Sequence, residues 1–314
     1  MPRPAHPRVV ALRALGLGDL CTAVPALRAL RRGHPQHEIV LAAPAWLGPL
    51  AAEAGVRTVD VSGLERPLPV ELCDPEVAVN LHGRGPESIR RLLELRPRHL
   101  VTFRHPGVDA TGDGPPWRTG EHEVERWCRL LVHHGIDADP GDLHLETPRA
   151  EPRVPGAVVV HPGAAAAGRR WPVERFAAVV RHLVAHGERV VITGSPAERA
   201  LGRAIVGRVG CAGGRVIDLS GATDLAQLCA LVAHARALIS NDTGVAHLAS
   251  AYRTPSVVLF GPTSPSTWGP PASGRHRVVW RGRVGDPHAA ELDPGLDAIT
   301  VGEVVDAIDA VLAG

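Results

Sequence analysis

Residues 237–260 read ALISNDTGVAHLASAYRTPSVVLF, and this stretch decides the fold class. Ala237 to Ser240 is a short apolar run of strand length. Asn241-Asp242-Thr243 breaks it with turn formers, and Gly244 to Ala251 has helical spacing. Ser256 to Phe260 is a second β-branched run, so strand, helix and strand fit into about twenty-five residues. A crossover of that kind pairs its strands in parallel and covers the sheet with helices, which is the α/β arrangement.

Working outward, the same alternation fills the second half of the chain. Strands are expected at Ala157 to His161, Arg189 to Thr193 and Arg215 to Leu219. Helices are expected at Val173 to His186, Pro196 to Val209, Asp224 to His234 and Gly302 to Leu312. The first half repeats the pattern, with strands at Arg8 to Ala14, Glu38 to Ala42, Thr58 to Val61, Val77 to Leu81 and Leu100 to Phe103. The helix Leu20 to Arg32 follows the first of these. At 314 residues the chain suits two domains. Pro140, Pro148, Pro152 and Pro155 mark the linker, which gives lobes 1–150 and 151–314. Two doubly wound lobes facing each other line a central cleft with strand carboxyl ends and helix amino ends, where such sheets bind ligands.

Composition narrows the function. Apolar residues make up 45% but aromatics only 3%, so the core is built from Ala, Val and Leu. Net charge is +1 with basic residues dispersed, which excludes a nucleic-acid footprint. The apolar run Val9 to Leu17 is interrupted by Arg13 and followed by Asp19, so it reads as neither signal peptide nor span, and a cytoplasmic protein is expected. Five cysteines, with no Cys-x-x-Cys pair, read as buried free thiols rather than a zinc cage or disulfide frame. Residues 104–120 form a Gly/Pro-rich segment too long for an ordinary connection, either a lid or acceptor wall or a mobile surface insertion.

Four turns carry candidate chemistry. At Ser240 to His247 a strand runs into a helix, leaving unpaired amides near Thr243 and Gly244 at a positive dipole end, a phosphate site by physics. His247 lies one turn further on. Asp242 would repel phosphate and fits sugar hydroxyls, or it is simply the helix N-cap. His161 to Pro172 brings Gly163, Arg169 and Arg170 to a helix begun by Pro172, which suits a pyrophosphate, although both arginines are also compatible with a solvated surface. Glu198, at the turn Thr193 to Glu198, fits ribose hydroxyls or a favourable first helical turn. In the first lobe, Gly16-Leu17-Gly18-Asp19 lacks the third glycine of a dinucleotide fingerprint. Asp19 there is either an N-cap or a base for an acceptor hydroxyl. The single Asp242-Thr243-Gly244 is no aspartic protease, which needs two such carboxylates. Gly-x-Ser-x-Gly, Walker and His-Glu-x-x-His motifs are lacking.

Together, Gly16-Leu17-Gly18-Asp19 with Pro25-Ala26-Leu27, Arg169-Arg170-Trp171-Pro172, Asn241-Asp242-Thr243-Gly244-x-x-His247 and Phe260-Gly261-Pro262-Thr263 resemble the heptosyltransferases, glycosyltransferase family 9. The resemblance implies a GT-B fold with an amino-terminal acceptor lobe and a carboxyl-terminal donor lobe. It implies inverting transfer from an ADP-sugar to a sugar-containing acceptor, with no metal or other cofactor. Asp19 is then the base. Gly163, Arg169, Arg170, Glu198, Asp242, Thr243, Gly244 and His247 are donor-binding, and Gly18, His82 and Arg84 are acceptor-binding. The chain departs from the family with Arg169 in place of a common Lys, with no Ser or Thr in Gly163 to Gly168, and with Asn80 where Asp is common. Family membership suggests lipopolysaccharide core as acceptor, with peripheral membrane contact if the acceptor is a lipid. All 34 basic residues are Arg, a bias that looks like GC-rich actinobacterial coding and points instead to a secondary metabolite such as an aminoglycoside or nucleoside. A nucleotide-sugar epimerase on the same fold and a non-catalytic nucleotide-sugar binding protein are the rival readings.

Overall fold

The computed structural model describes residues 7–210, 213–272 and 275–314. It divides into two compact units, Met1–Leu145 and Glu146–Gly314, the division falling within the proline-bearing stretch.

The first unit holds strands β1 Arg8–Leu12, β2 Glu38–Ala43, β3 Arg57–Asp60, β4 Val77–Asn80 and β5 His99–Val101. They form one parallel sheet in the order β3-β2-β1-β4-β5. The second unit holds β6 Val158–His161, β7 Val190–Ile192, β8 Val216–Asp218, β9 Ala237–Asn241, β10 Ser256–Leu259 and β11 His276–Val279, in the parallel order β11-β10-β9-β6-β7-β8. Both sheets are doubly wound. In each, the winding reverses beside the unit's first strand, between β1 and β4 and between β6 and β9, and a crevice opens there at the carboxyl ends.

The central strands β1, β4, β6 and β9 are buried almost throughout and rich in Val, Leu, Ile and Ala, as a sheet covered on both faces requires. In the second unit they pack with Phe176, Val180 and Leu183 from the helix Val173–Ala185 and Val304 and Ile308 from the helix Val301–Ala313. Every strand expected from sequence is present, with its ends displaced by no more than two residues. Unforeseen are the helices Gly48–Glu53, Glu87–Glu94, Glu123–His133, Pro265–Trp268 and Pro294–Asp297 and the strand β11. β11 is a half-exposed edge strand, so its pattern is weak. Glu123–His133 has a clear apolar spacing at Val124, Trp127, Leu130 and Leu131 that the preceding Gly/Pro-rich segment obscured.

That segment is not a loose insertion. Trp117 packs edge-on to Phe103 at 5.1 Å between ring centres, and the Arg126 guanidinium lies 4.0 Å over its ring. The Arg104 amide donates to the Pro115 carbonyl at 2.9 Å. Gly114 runs so close to the neighbouring backbone that a Cβ there would meet the Thr102 carbonyl oxygen at 2.3 Å. Cys21, Cys128 and Cys229 are buried and Cys73 is half-buried; Cys211 lies outside the described residues. No helix among the described residues is long and apolar enough to cross a membrane.

Candidate active site

In the first unit the chain leaves β1 into a buried cation. Arg13 is only 1% exposed, beside β4 at the reversal point of the sheet. Its guanidinium donates to the Leu81 carbonyl, to the Asp19 carbonyl, to Thr22 Oγ1 at 3.0 Å and to Glu123 Oε1 at 3.2 Å. The helix Leu17–Gly33 then begins with Gly16 as N-cap, Gly18 second and Asp19 third. Asp19 is therefore not the N-cap. Its Oδ2 accepts the Gly16 amide at 3.1 Å, closing the first turn from within, and its Oδ1 lies 3.5 Å from Arg13 Nη2. The carboxylate is about a quarter exposed.

Across the reversal point, β4 ends in a turn tied by Asn80. Its amide donates to the Gly83 carbonyl at 3.0 Å and Thr102 Oγ1 at 3.2 Å, and its oxygen accepts the His82 amide at 3.2 Å. An Asp could not make the two donations. His82 Nδ1 is buried without a hydrogen-bond partner. Burial, then the Arg13 guanidinium, push this imidazole below its ordinary range, opposed by Asp19. It is a neutral group able to accept or donate. Arg84 is exposed.

In the second unit, Thr243 is the N-cap of the helix Gly244–Ala251 and makes no side-chain cap bond. The Asp242 cap reading is thus replaced by an ion pair. Asp242 is 5% exposed, and its Oδ2 lies 3.1 Å from Arg169 Nη2, which also donates to the Asp242 carbonyl. Arg169 Nε remains buried without a partner. Arg170 does not extend into solvent: Nε and Nη2 both donate to the Ala164 carbonyl, at 2.9 and 2.8 Å, and so brace the loop. Pro172 is the N-cap of Val173–Ala185, so the helix starts at Val173, as expected from sequence. Gly168 is clamped to a distant segment. Its amide donates to Ala289 and its carbonyl accepts from Asp293, at 2.9 and 3.0 Å, and a Cβ would sit 2.7 Å from the Glu291 carbonyl oxygen.

The side chain that joins these two turns is Asn241, fully buried at the end of β9. It donates to the Pro162 carbonyl at 2.8 Å and the Gly163 carbonyl at 3.3 Å and accepts the Trp171 amide at 3.1 Å. Both ends of the Arg-bearing loop therefore hang on one residue. Glu198 folds back onto the Ser195 amide at 2.8 Å, and its other oxygen crowds Gly163, where a Cβ would lie 2.1 Å away. His161 beneath it meets Thr193 Oγ1 at 3.0 Å; burial lowers its pKa against the pull of Glu198. The His247 ring meets Trp268 edge-on at 5.7 Å.

Gly163, Arg169, Arg170, Glu198, Asp242, Thr243, Gly244 and His247 thus all belong to the second unit, most of them around its reversal point. Asp19, Gly18, His82 and Arg84 belong to the first. The sequence reading gave no role to Arg13, Glu123, Asn80 or Asn241. The signals available were a charge directly behind an apolar strand and the only two asparagines in the chain. No group of three metal-binding side chains occurs among the described residues.

Two parallel doubly wound sheets, each with polar turns at its winding reversal, are the α/β arrangement of the GT-B fold. The sequence signature of glycosyltransferase family 9 (heptosyltransferase) matches residues 115–293, and the chain belongs to that family. Lipopolysaccharide heptosyltransferase 2 of Escherichia coli K12 is 33% identical over 117 residues, which is 35% of this chain and 32% of that protein. The chain thus spans about a third of the length of that curated relative. The fold likeness runs much further. A structure of E. coli ADP-heptose lipopolysaccharide heptosyltransferase II covers 98% of both chains at a TM-score of 0.80 and 23% identity. E. coli heptosyltransferase WaaC with ADP-2-deoxy-2-fluoro heptose covers 96% of this chain and 99% of its own, at a TM-score of 0.71 and 18% identity.

Proposed function

We propose that this chain transfers a heptose from an ADP-heptose donor to a hydroxyl of the lipopolysaccharide core, with inversion at the anomeric carbon and no metal in the step. The observation that carries the reading is the second unit's reversal point. There the uncapped amino end of the helix Gly244–Ala251 stands beside the Arg169–Asp242 pair, whose arginine keeps one buried N–H unpaired. A diphosphate supplies the anion that such a constellation lacks. The family, and the relatives' printed names, supply the heptose and the lipopolysaccharide.

In this reading Asp19 removes the proton of the acceptor hydroxyl as that oxygen bonds to the anomeric carbon. The bond from that carbon to the diphosphate oxygen breaks on the opposite face, and its electron pair leaves with ADP. Arg169 and the amides near Thr243 and Gly244 meet the growing negative charge with donors already in place. Glu198, Asp242 and His247 contact the donor's ribose, sugar and phosphates, Gly163 and Arg170 shape the loop around them, and Gly18, His82 and Arg84 receive the acceptor. A secondary-metabolite acceptor is the second reading, favoured by the Arg-only composition.

The test incubates the protein with ADP-heptose and either lipopolysaccharide from a heptose-deficient strain or an aminoglycoside. ADP release and the anomeric configuration of the product are followed. Heptosylated product with inverted configuration is expected, and Asp19→Ala should lower the rate by about 100-fold or more, the scale of general base catalysis. Transfer persisting near the wild-type rate in Asp19→Ala removes the base assignment. A rearranged sugar nucleotide formed from donor alone would favour an epimerase, and donor binding with no turnover would favour a binding protein.

A further inference from the structure

A guanidinium taken out of water is costly unless every part of it is partnered. Arg13 meets that demand in an unusual place, one residue after β1 at the reversal point of the first sheet. Besides the Leu81 carbonyl after β4, its bonds reach two helices. Towards the helix Leu17–Gly33 it holds the Asp19 carbonyl and Thr22 Oγ1 and lies 3.5 Å from the Asp19 carboxylate. Towards the helix Glu123–His133 it reaches Glu123 Oε1 at 3.2 Å and lies 4.9 Å over the Trp127 ring.

Glu123 is itself fixed. Its Oε1 also accepts Trp127 Nε1 at 3.0 Å, and its Oε2 accepts Arg126 Nε at 3.0 Å. Arg126 in turn stacks on Trp117. An unbroken line of contacts therefore runs from Trp117 through Arg126, Glu123 and Arg13 to Asp19. The Asp19 carboxylate is held from two sides: the Gly16 amide takes Oδ2 at 3.1 Å, and the looser contact with Arg13 restrains Oδ1. The looser side leaves a lone pair of Oδ1 available to an incoming hydroxyl.

We infer that Arg13, anchored by Glu123, is the positioning residue that fixes the Asp19 carboxylate for proton removal. This inference rests on the proposed role of Asp19 as base. Arg13 does not touch substrate; it acts by holding the carboxylate and the first turn of its helix in one orientation. A displacement of about 1 Å at a reacting group costs on the order of 100-fold in rate.

The experiment is a double-mutant cycle in turnover, with ADP-heptose and heptose-deficient lipopolysaccharide as the probes, circular dichroism melts as the check on folding and ADP calorimetry as the check on the second unit's site. Arg13→Met should lower kcat by roughly 10- to 100-fold, leaving acceptor KM and ADP affinity within about threefold. Arg13→Lys, which keeps the charge without the fork, should recover part of that loss. In an Asp19→Asn background, Arg13→Met should cost less than about twofold more, because residues acting as one unit are non-additive. Glu123→Gln keeps Arg13 in place and loosens its anchor, so it should show a smaller loss with the same non-additivity. It carries the test if Arg13→Met fails to fold. The inference is overturned if Arg13→Met stays within about twofold of wild type, or if its loss multiplies in full onto that of Asp19→Asn. A wild-type rate in Asp19→Asn alone would instead remove the base assignment on which the inference stands.

Discussion

Replacing Asn241 by Ala tests whether one buried amide organises the second unit's site. The substitution strips partners from the Pro162 carbonyl and the Trp171 amide, held at 2.8 and 3.1 Å, and weakens the hold on Gly163. A buried polar group left without its bond costs about 1–3 kcal/mol, so two orphans amount to roughly 3 kcal/mol after partial relaxation. For a body the size of the second unit, each kcal/mol shifts the melting temperature by about 2–4 °C, which gives a fall of roughly 6–12 °C. Circular dichroism melts read the stability, and calorimetric titration with ADP reads the site. ADP affinity should fall about tenfold, because the loop that carries Arg169 loses both of its ties to β9. Asn241→Asp keeps the acceptor for Trp171 but turns a carboxylate towards two carbonyls, and should be at least as damaging. If Asn241→Ala melts within about 2 °C of wild type and binds ADP equally well, the residue is not the organiser of the loop.

Gly163→Ala places a Cβ 2.1 Å from Glu198 Oε1, so Glu198 must leave its bond to Ser195; ADP affinity should drop several-fold, and an unchanged titration would show that Glu198 shifts without consequence. A pH series tests four imidazoles. Burial is the leading cause that lowers the pKa of His34, His82, His134 and His161 below the ordinary value near 6.5. The native state then binds fewer protons than the unfolded chain, so stability is full above about pH 7 and is lost as pH falls through about 6.5 towards the folded values. The melting temperature should fall between pH 7.5 and 5.5, and His161→Gln should flatten the slope; a melting temperature that rises on acidification would contradict the assignment.

The alternation of short apolar runs with helical spacing was enough to reveal both sheets, because parallel strands buried on two faces can tolerate little but Val, Leu, Ile and Ala. What pattern could not supply was the fate of polar side chains at strand ends. Asp19 and Asp242 are both turn residues before or within a first helical turn, and each reads equally well as a cap. The fold separates the alternatives by supplying partners from far away in sequence. Arg169 reaches Asp242 across 73 positions, and Glu123 reaches Arg13 across 110. Arg170 shows the converse, since an arginine suited to a phosphate spends its fork on a carbonyl six residues back.

Two of the residues that reading overlooked share one property. Arg13 and Asn241 each stand at the end of a central strand, next to the point where the winding reverses, and each is almost wholly buried. Burying a polar group is costly unless it is bonded, and these two spread several bonds over backbone and side chains of neighbouring turns. Arg13 ties the turn after β1 to the turn after β4, and Asn241 ties the turn after β9 to the loop after β6. At the reversal point the chain leaves two adjacent strands towards opposite faces of the sheet, so the two turns diverge. A single polar side chain aligns them instead, which is why the same device recurs in both units beside the residues proposed to do the chemistry.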